Sequence, residues 1–274
     1  MNLKQNTMMR FVLFALTASL LITSCNQKES VSSASNAIND LASENLKGDV
    51  TQVETDSYVI DSTGKTGPLD EKRIEKYDSS GYAVSYVSMN GKDSIKSQSK
   101  YMHNANGFMT SMQTDGANNE KKSSMTIEYD SAGNYSQAKS YDSTGKIDVY
   151  YKDITANKFG QVTGATGYHP DSTLKMSFSN DYDSVYYVGG NAKDSVGKLT
   201  YSGKVTLNDK KDLATLDETI ITTDPKTKKD STKSTITTYT YDGWDNHGNW
   251  TQQTSFNEKG KPIKMVKRII VYKQ

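Results

Sequence analysis

One cysteine, three histidines and four prolines in 274 residues leave little for several kinds of chemistry. A lone thiol excludes an intrachain disulfide and any zinc site built on more than one thiolate. Charge of one sign is missing too: 33 Lys+Arg stand against 32 Asp+Glu, a net of +1. That balance excludes a polybasic nucleic-acid binder or a cationic membrane peptide. Beyond residue 25, Leu, Ile, Val and Phe supply only about one residue in six, under the roughly 20% below which a chain struggles to build a core. Disorder would also need a high net charge, which is absent, and 18 tyrosines offer ring area in place of aliphatics.

The long apolar run that does exist lies at the start. Lys4 and Arg10 precede Phe11-Val12-Leu13-Phe14-Ala15-Leu16, which continues through Leu20-Leu21-Ile22. A basic start, about a dozen apolar residues and then small residues form a secretory signal. With Thr17, Ser19 and Thr23 interrupting it, the run is short of the roughly 20 residues needed to span a bilayer. It ends at Ile22-Thr23-Ser24-Cys25, which resembles a bacterial lipobox. The resemblance implies cleavage between Ser24 and Cys25 and acyl chains on Cys25, hence a membrane partner reached through lipid. Loss of Lys4 and Arg10 takes the charge from +1 to −1 (1 − 2), so the acyl chains and not electrostatics would hold the protein. Asn26 in place of an aspartate favours the outer membrane. Gln27-Lys28-Glu29 resembles the export tag of surface lipoproteins in the Bacteroidota, which slightly favours the cell surface over the periplasmic face.

Three regions follow: a signal peptide over 1–24, an acylated cysteine and flexible tether over 25–50, and a repetitive β-hairpin domain over 51–274. The tether is rich in Ser and Asn and poor in large apolar groups, with Ile38, Leu41 and Leu46 able to mark one short helix at most.

The domain repeats. Turn cores with Asp or Asn first and Gly fourth recur at Asp78–Gly81, Asn104–Gly107, Asp130–Gly133 and Asn157–Gly160, their glycines 26, 26 and 27 residues apart. Midway come second turns at Asn90-Gly91, Asp115-Gly116, Asp142–Gly145 and His169-Pro170-Asp171. Segments between turns alternate with period two, as in Thr235-Ile236-Thr237-Thr238-Tyr239-Thr240-Tyr241, and such short connections force antiparallel neighbours. The expected fold is all-β, a meander of about 16 antiparallel strands forming a curled or folded-over open sheet, with a sandwich or closed barrel as alternatives. A membrane barrel is disfavoured because Lys96, Lys100, Lys121 and Lys122 would have to avoid lipid.

Tyr77-Asp78-Ser79-Ser80-Gly81, Tyr129-Asp130-Ser131-Ala132-Gly133 and Tyr141-Asp142-Ser143-Thr144-Gly145 resemble YD repeats of the rearrangement-hotspot and teneurin type. Asp245-Asn246-His247-Gly248-Asn249-Trp250-Thr251 is similar to a hairpin of Bacteroidota lipoproteins. The resemblance implies the sheet architecture. The arginine expected after the repeat glycine is missing and the chain is too short to enclose a toxin, so an encapsulating role is not implied.

Candidate chemistry is sparse. His103, His169 and His247 fall at separate turns without metal-ligand spacing, so no metal or cofactor is expected. There is no nucleophile elbow, phosphate loop or dinucleotide fingerprint. Asp181 and Asp183 are close in sequence, which is weak support for a glycosidase pair. Asp-Ser followed by Ala, Ile, Val or Thr places candidate O-glycosylation acceptors at Ser62, Ser94, Ser131, Ser143, Ser172, Ser184, Ser195 and Ser231, although Asp-Ser also opens turns. Strand-ending Tyr77, Tyr129, Tyr182 and Tyr241, with Trp244 and Trp250, form a candidate ligand platform; the competing reading is that these rings replace missing core aliphatics. The functional expectation is a lipid-anchored, non-enzymatic envelope protein that binds polysaccharide or another envelope protein. The alternatives are an envelope polysaccharide hydrolase using a carboxylate pair, and a structural subunit joined through exposed sheet edges.

Overall fold

The computed structural model describes residues 37–224 and 226–274. The signal sequence, Ser24 and Cys25 lie outside the described residues. One short helix, α1 (Asp40–Ser43), precedes sixteen strands. These are β1 (Val50–Ile60), β2 (Thr66–Tyr77), β3 (Ala83–Asn90), β4 (Ile95–His103), β5 (Met109–Gly116), β6 (Lys121–Tyr129), β7 (Tyr135–Tyr141) and β8 (Ile147–Ala156). Then follow β9 (Val162–Tyr168), β10 (Leu174–Asp183), β11 (Tyr186–Asp194), β12 (Leu199–Leu207), β13 (Leu213–Thr223), β14 (Asp230–Tyr241), β15 (Gln252–Asn257) and β16 (Pro262–Tyr272). Each strand pairs antiparallel with its neighbours in sequence, as the short connections require.

The hairpins are built as the turn residues dictate. Asp78 Oδ1 accepts the N–H groups of Ser80 at 2.8 Å and Tyr82 at 3.0 Å, while Gly81 takes φ +84°. Asp130 and Asn157 repeat the same two bonds. A short polar side chain thus fixes the type I start of the loop, and glycine supplies the left-handed residue that completes it. Two of the expected midway turns differ. The loop after β3 runs from Asn90 to Ser94 with Asp93 as its left-handed residue at φ 57°, and the loop after β5 runs from Gly116 to Glu120 with Asn119 at φ 58°. Gly91 serves instead for close approach, because a Cβ there would meet the Leu69 carbonyl oxygen at 1.8 Å.

The sheet is a closed barrel, the alternative to the expected open or folded-over sheet. β1 pairs with β16 from Val50↔Tyr272 to Val59↔Lys264, so every strand has two neighbours. Closure removes the unsatisfied N–H and C=O groups that a sixteen-strand meander would leave on its first and last strands. It also removes the exposed edges on which a structural subunit would have docked.

The outer wall is polar. Glu54, Asp56 and Lys72 alternate with lumen-facing Val53, Thr55 and Arg73 and pair on the outside, Lys72 to Glu54 at 2.7 Å. Lys139 pairs with Glu128 and Lys175 with Asp148, each at 2.8 Å. A membrane barrel needs an unbroken apolar band where these ions stand, so this outer face does not suit the lipid core of a bilayer.

Part of the expected tether is ordered. Residues 37–49 cross one end of the barrel as a lid. Ala37 N–H donates to Asn106 O, Ile38 N–H to Phe159 O and Leu41 N–H to Gly81 O, joining the turns after β2, β4 and β8 on that rim. Leu41 and Leu46 pack into the barrel end against Val50, Val53, Tyr77 and Ala83. The two leucines that looked too sparse for an amphipathic stripe suffice because each fills the barrel mouth and α1 is only four residues long. Asn39 caps α1 by accepting from Ala42 N–H at 2.9 Å.

Candidate functional site

Lid and wall enclose a lumen of about 680 Å³, within the range of small-molecule sites. Its lining mixes rings (Tyr86, Tyr101, Tyr151, Phe178, Tyr239, Trp250), amides (Asn180, Gln253) and charges (Arg73, Glu75, Lys264, Arg268).

Of the sequence-derived tyrosines, Tyr182 and Tyr241 line the lumen, while Tyr77 packs in the core beneath the lid and Tyr129 against Phe108 and Tyr135. Tyr77, Tyr129 and Tyr241 end β2, β6 and β14 and Tyr182 is the last residue but one of β10, so they stand on every fourth strand and do not touch as a ladder. Each has a structural bond. Tyr129 Oη donates to Met109 O at 2.8 Å, Tyr182 to Val162 O at 3.3 Å and Tyr241 to Leu213 O at 2.8 Å. Each acceptor begins or nearly begins the strand before the one that the tyrosine ends, so a repeated residue closes a repeated hairpin. Tyr77 breaks the series and donates to Glu44 Oε2 on the lid at 2.9 Å. Burial raises all four phenols, Tyr182 to about 12. Rings from adjacent strands complete the packing, with Tyr129 and Tyr135 centroids 4.9 Å apart. Trp250 is buried and Trp244 half-buried beneath Lys210 Nζ, 3.5 Å from its centroid, so neither is the exposed platform expected.

The Asp245–Thr251 hairpin holds the lid. Asn249 grips the Lys47 backbone twice, accepting its N–H at 2.8 Å and donating to its carbonyl at 2.9 Å. Asn249 also donates to Tyr272 Oη at 2.7 Å, and that hydroxyl donates to Asp245. His247 stacks on Tyr272, centroids 3.9 Å apart.

Under the lid lies a group of titratable side chains that sequence reasoning missed: Asp40, Glu44, Glu75, Asp212 and Arg268. Burial is the leading cause in every case. It raises Asp40, Asp212 and Glu44, raises Glu75 to about 7 and lowers Arg268. Arg268 stacks on Trp250, its Cζ 3.5 Å from the ring centroid, and makes no ion pair with any described residue. Its Nε is buried without an acceptor. A compositional signal was present. Arginine occurs only at 10, 73 and 268, and both arginines after the leader face the lumen.

Other expected residues are scattered. Asp181 is exposed while Asp183 is buried. His103 lies 5.2 Å from the Tyr82 ring and His169 closes a turn. Among the described residues no three His, Cys, Asp or Glu converge on a metal position. All eight Asp-Ser serines are exposed. Ser62, Ser94, Ser143, Ser172, Ser195 and Ser231 ring the end opposite the lid, and only Ser131 and Ser184 lie at the lid end.

No family model matches the chain, and no curated protein matches it. Among solved structures it is similar to a porin-like protein from Bacteroides uniformis ATCC 8492, with 16% identity over 81% of this chain and 98% of that one and a TM-score of 0.38. A porin-like protein from Bacteroides vulgatus ATCC 8482 matches with 10% identity, coverage of 82% and 98%, and a TM-score of 0.20. The Photorhabdus luminescens Tc holotoxin pore matches with 11% identity over 78% of this chain and 16% of that chain, TM-score 0.25.

Proposed function

We propose that this chain is a non-enzymatic, lipid-anchored protein of the bacterial outer membrane that binds a segment of envelope or extracellular polysaccharide inside its lidded barrel. The observation that carries this reading is the lumen itself, a space under the lid lined by aromatic rings, amides and charges. Aromatic rings take the apolar faces of sugar rings and the polar groups take their hydroxyls. A whole partner protein does not fit such a space. Cys25 stands twelve residues before Ala37, a reach of about 40 Å at full extension, so acyl chains there would keep the lid end close to the bilayer.

A hydrolase would need one ionised carboxyl and one protonated carboxyl across the scissile bond. Asp40, Glu44 and Glu75 are all pushed the same way, toward the protonated form, which does not separate an acid from a nucleophile. That favours binding over turnover.

The test has two parts. Native protein from cells should carry a diacylglyceryl mass on Cys25 and leave the membrane fraction in Cys25→Ala, and protease added to intact cells should degrade it if the surface location holds. The purified lipidated chain should retain polysaccharide from its own envelope without shortening it. Release of reducing ends that Glu75→Gln abolishes would replace this reading with the hydrolase.

A further inference from the structure

We propose that Arg268 is the anion-binding centre of the lumen and takes the carboxylate of an acidic sugar ring of the uronic-acid class. The inference rests on the lumen being the binding site and names what that site selects.

Four features of the side chain converge. It stands on β16 in the inward register with Lys264 and Val266 and lines the lumen. Its guanidinium sits over Trp250, Cζ 3.5 Å from the ring centroid, a contact that restrains the fork and leaves N–H groups for a partner. Of the two inward arginines, Arg73 pairs with Glu71 at 2.7 Å, whereas Arg268 has no carboxylate within ion-pair distance among the described residues. Its Nε is buried and lacks an acceptor.

An inward guanidinium whose Nε is buried and unbonded is costly, and a bound anion would offset that cost. The nearby acids do not supply that anion. Glu44 accepts from Tyr77 Oη at 2.9 Å and Asp212 Oδ1 accepts from Asn45 Nδ2 at 3.0 Å, while Asp212 Oδ2 is buried without a partner and neither carboxyl comes within ion-pair distance of Arg268. A planar carboxylate matches the fork in two parallel bonds. The body attached to that carboxylate would meet Tyr241, Gln253 and Asn180, a lining of rings and amides that suits a hydroxylated ring better than an acyl chain.

Trp250 gives a local readout. The chain has two tryptophans, so in a Trp244→Phe background the emission reports the ring beneath Arg268 alone. The full lipidated chain in detergent micelles is titrated with digalacturonate, with its neutral methyl ester and with dodecanoate. The expected result is a saturable emission shift with digalacturonate, at least about tenfold weaker binding of the ester, and no comparable shift with dodecanoate. Arg268→Gln should erase the preference for acid over ester, and Arg268→Lys should keep part of it, since the charge remains and the fork is lost. The ester comparison uses the unaltered arginine, so a folding defect in either variant leaves the result readable. Equal binding of acid and ester would overturn the anion centre while leaving the lumen as a saccharide site. Dodecanoate binding in place of the sugar would overturn the uronic-acid assignment. If none of the three binds, and neutral envelope polysaccharide does not bind either, the lumen reading falls together with this one.

Discussion

Tyr77 Oη donates to Glu44 Oε2 at 2.9 Å, tying the end of β2 to the last turn of the lid. In the other units the equivalent tyrosine bonds to a backbone carbonyl, so only the first unit lends its tyrosine to the N-terminal segment. Tyr77→Phe leaves a buried carboxyl without this donor and should cost about 1–3 kcal/mol, against about 1 kcal/mol for Tyr129→Phe. Denaturant unfolding measures both. Equal losses, or faster cleavage at residues 37–49 in Tyr129→Phe than in Tyr77→Phe, would show that the bond does not hold the lid.

The carboxyls beneath the lid set a pH dependence. Burial and neighbouring acids raise Glu75 from the ordinary value of 4.5 to about 7 and push Glu44 well above it. The unfolded chain releases these protons above about 4.5, while the folded chain keeps them to about 7. The unfolded state therefore holds fewer protons between those values, and stability falls as pH rises through the window. Exposed turn aspartates are lowered from 3.8, Asp61 and Asp142 first by the hydroxyls of Thr63 and Thr144 and Asp130 first by the Asn134 N–H, so their contribution fades only as the solution turns more acid. The melting temperature should thus be higher at pH 5 than at pH 8, and Glu75→Gln should flatten the difference. A melting temperature that is unchanged or higher at pH 8 would contradict the buried-carboxyl assignment.

Two glycines of the same turn type separate backbone strain from lid contact. Gly133 has φ +82° and open space around it, so Gly133→Ala should cost about 1–2 kcal/mol from the left-handed backbone alone. At Gly81, with φ +84°, a Cβ would in addition meet Asn39 Nδ2 at 2.8 Å and Leu41 Cδ1 at 3.0 Å. Gly81→Ala should therefore destabilise more than Gly133→Ala and speed hydrogen exchange at Leu41 and Leu46. Matching values in the two variants would mean that the lid does not bear on this turn.

Six of the eight Asp-Ser serines encircle the end away from the lid, where glycans would crowd neither the tether nor the bilayer. Native protein should show a ladder of glycan masses, with site mapping richer at Ser62, Ser94, Ser143, Ser172, Ser195 and Ser231 than at Ser131 and Ser184. An intact native mass equal to polypeptide plus lipid would leave turn formation as the reason for the Asp-Ser pattern.

The turn chemistry and strand order were legible in the chain. Asp78, Asp130 and Asn157 each form bonds within five residues, and such local bonds need no knowledge of the rest of the molecule. Antiparallel pairing of neighbours followed from loop length. The facing of the strands was harder to read, because both walls carry polar residues. Period two shows that Val53 and Glu54 point oppositely, but not that Arg73 and Glu75 point inward while Ile269 and Val271 are exposed. Tertiary structure decided closure, the lid and the lumen. Val50 meets Tyr272, and Lys47 meets Asn249, across some two hundred residues of sequence, through contacts that form only once sixteen twisted strands have brought their ends together. Contacts of that separation leave no periodicity in the chain, and although Arg268 and Trp250 are near in sequence, that they meet inside a lidded lumen became visible only when the barrel closed around them.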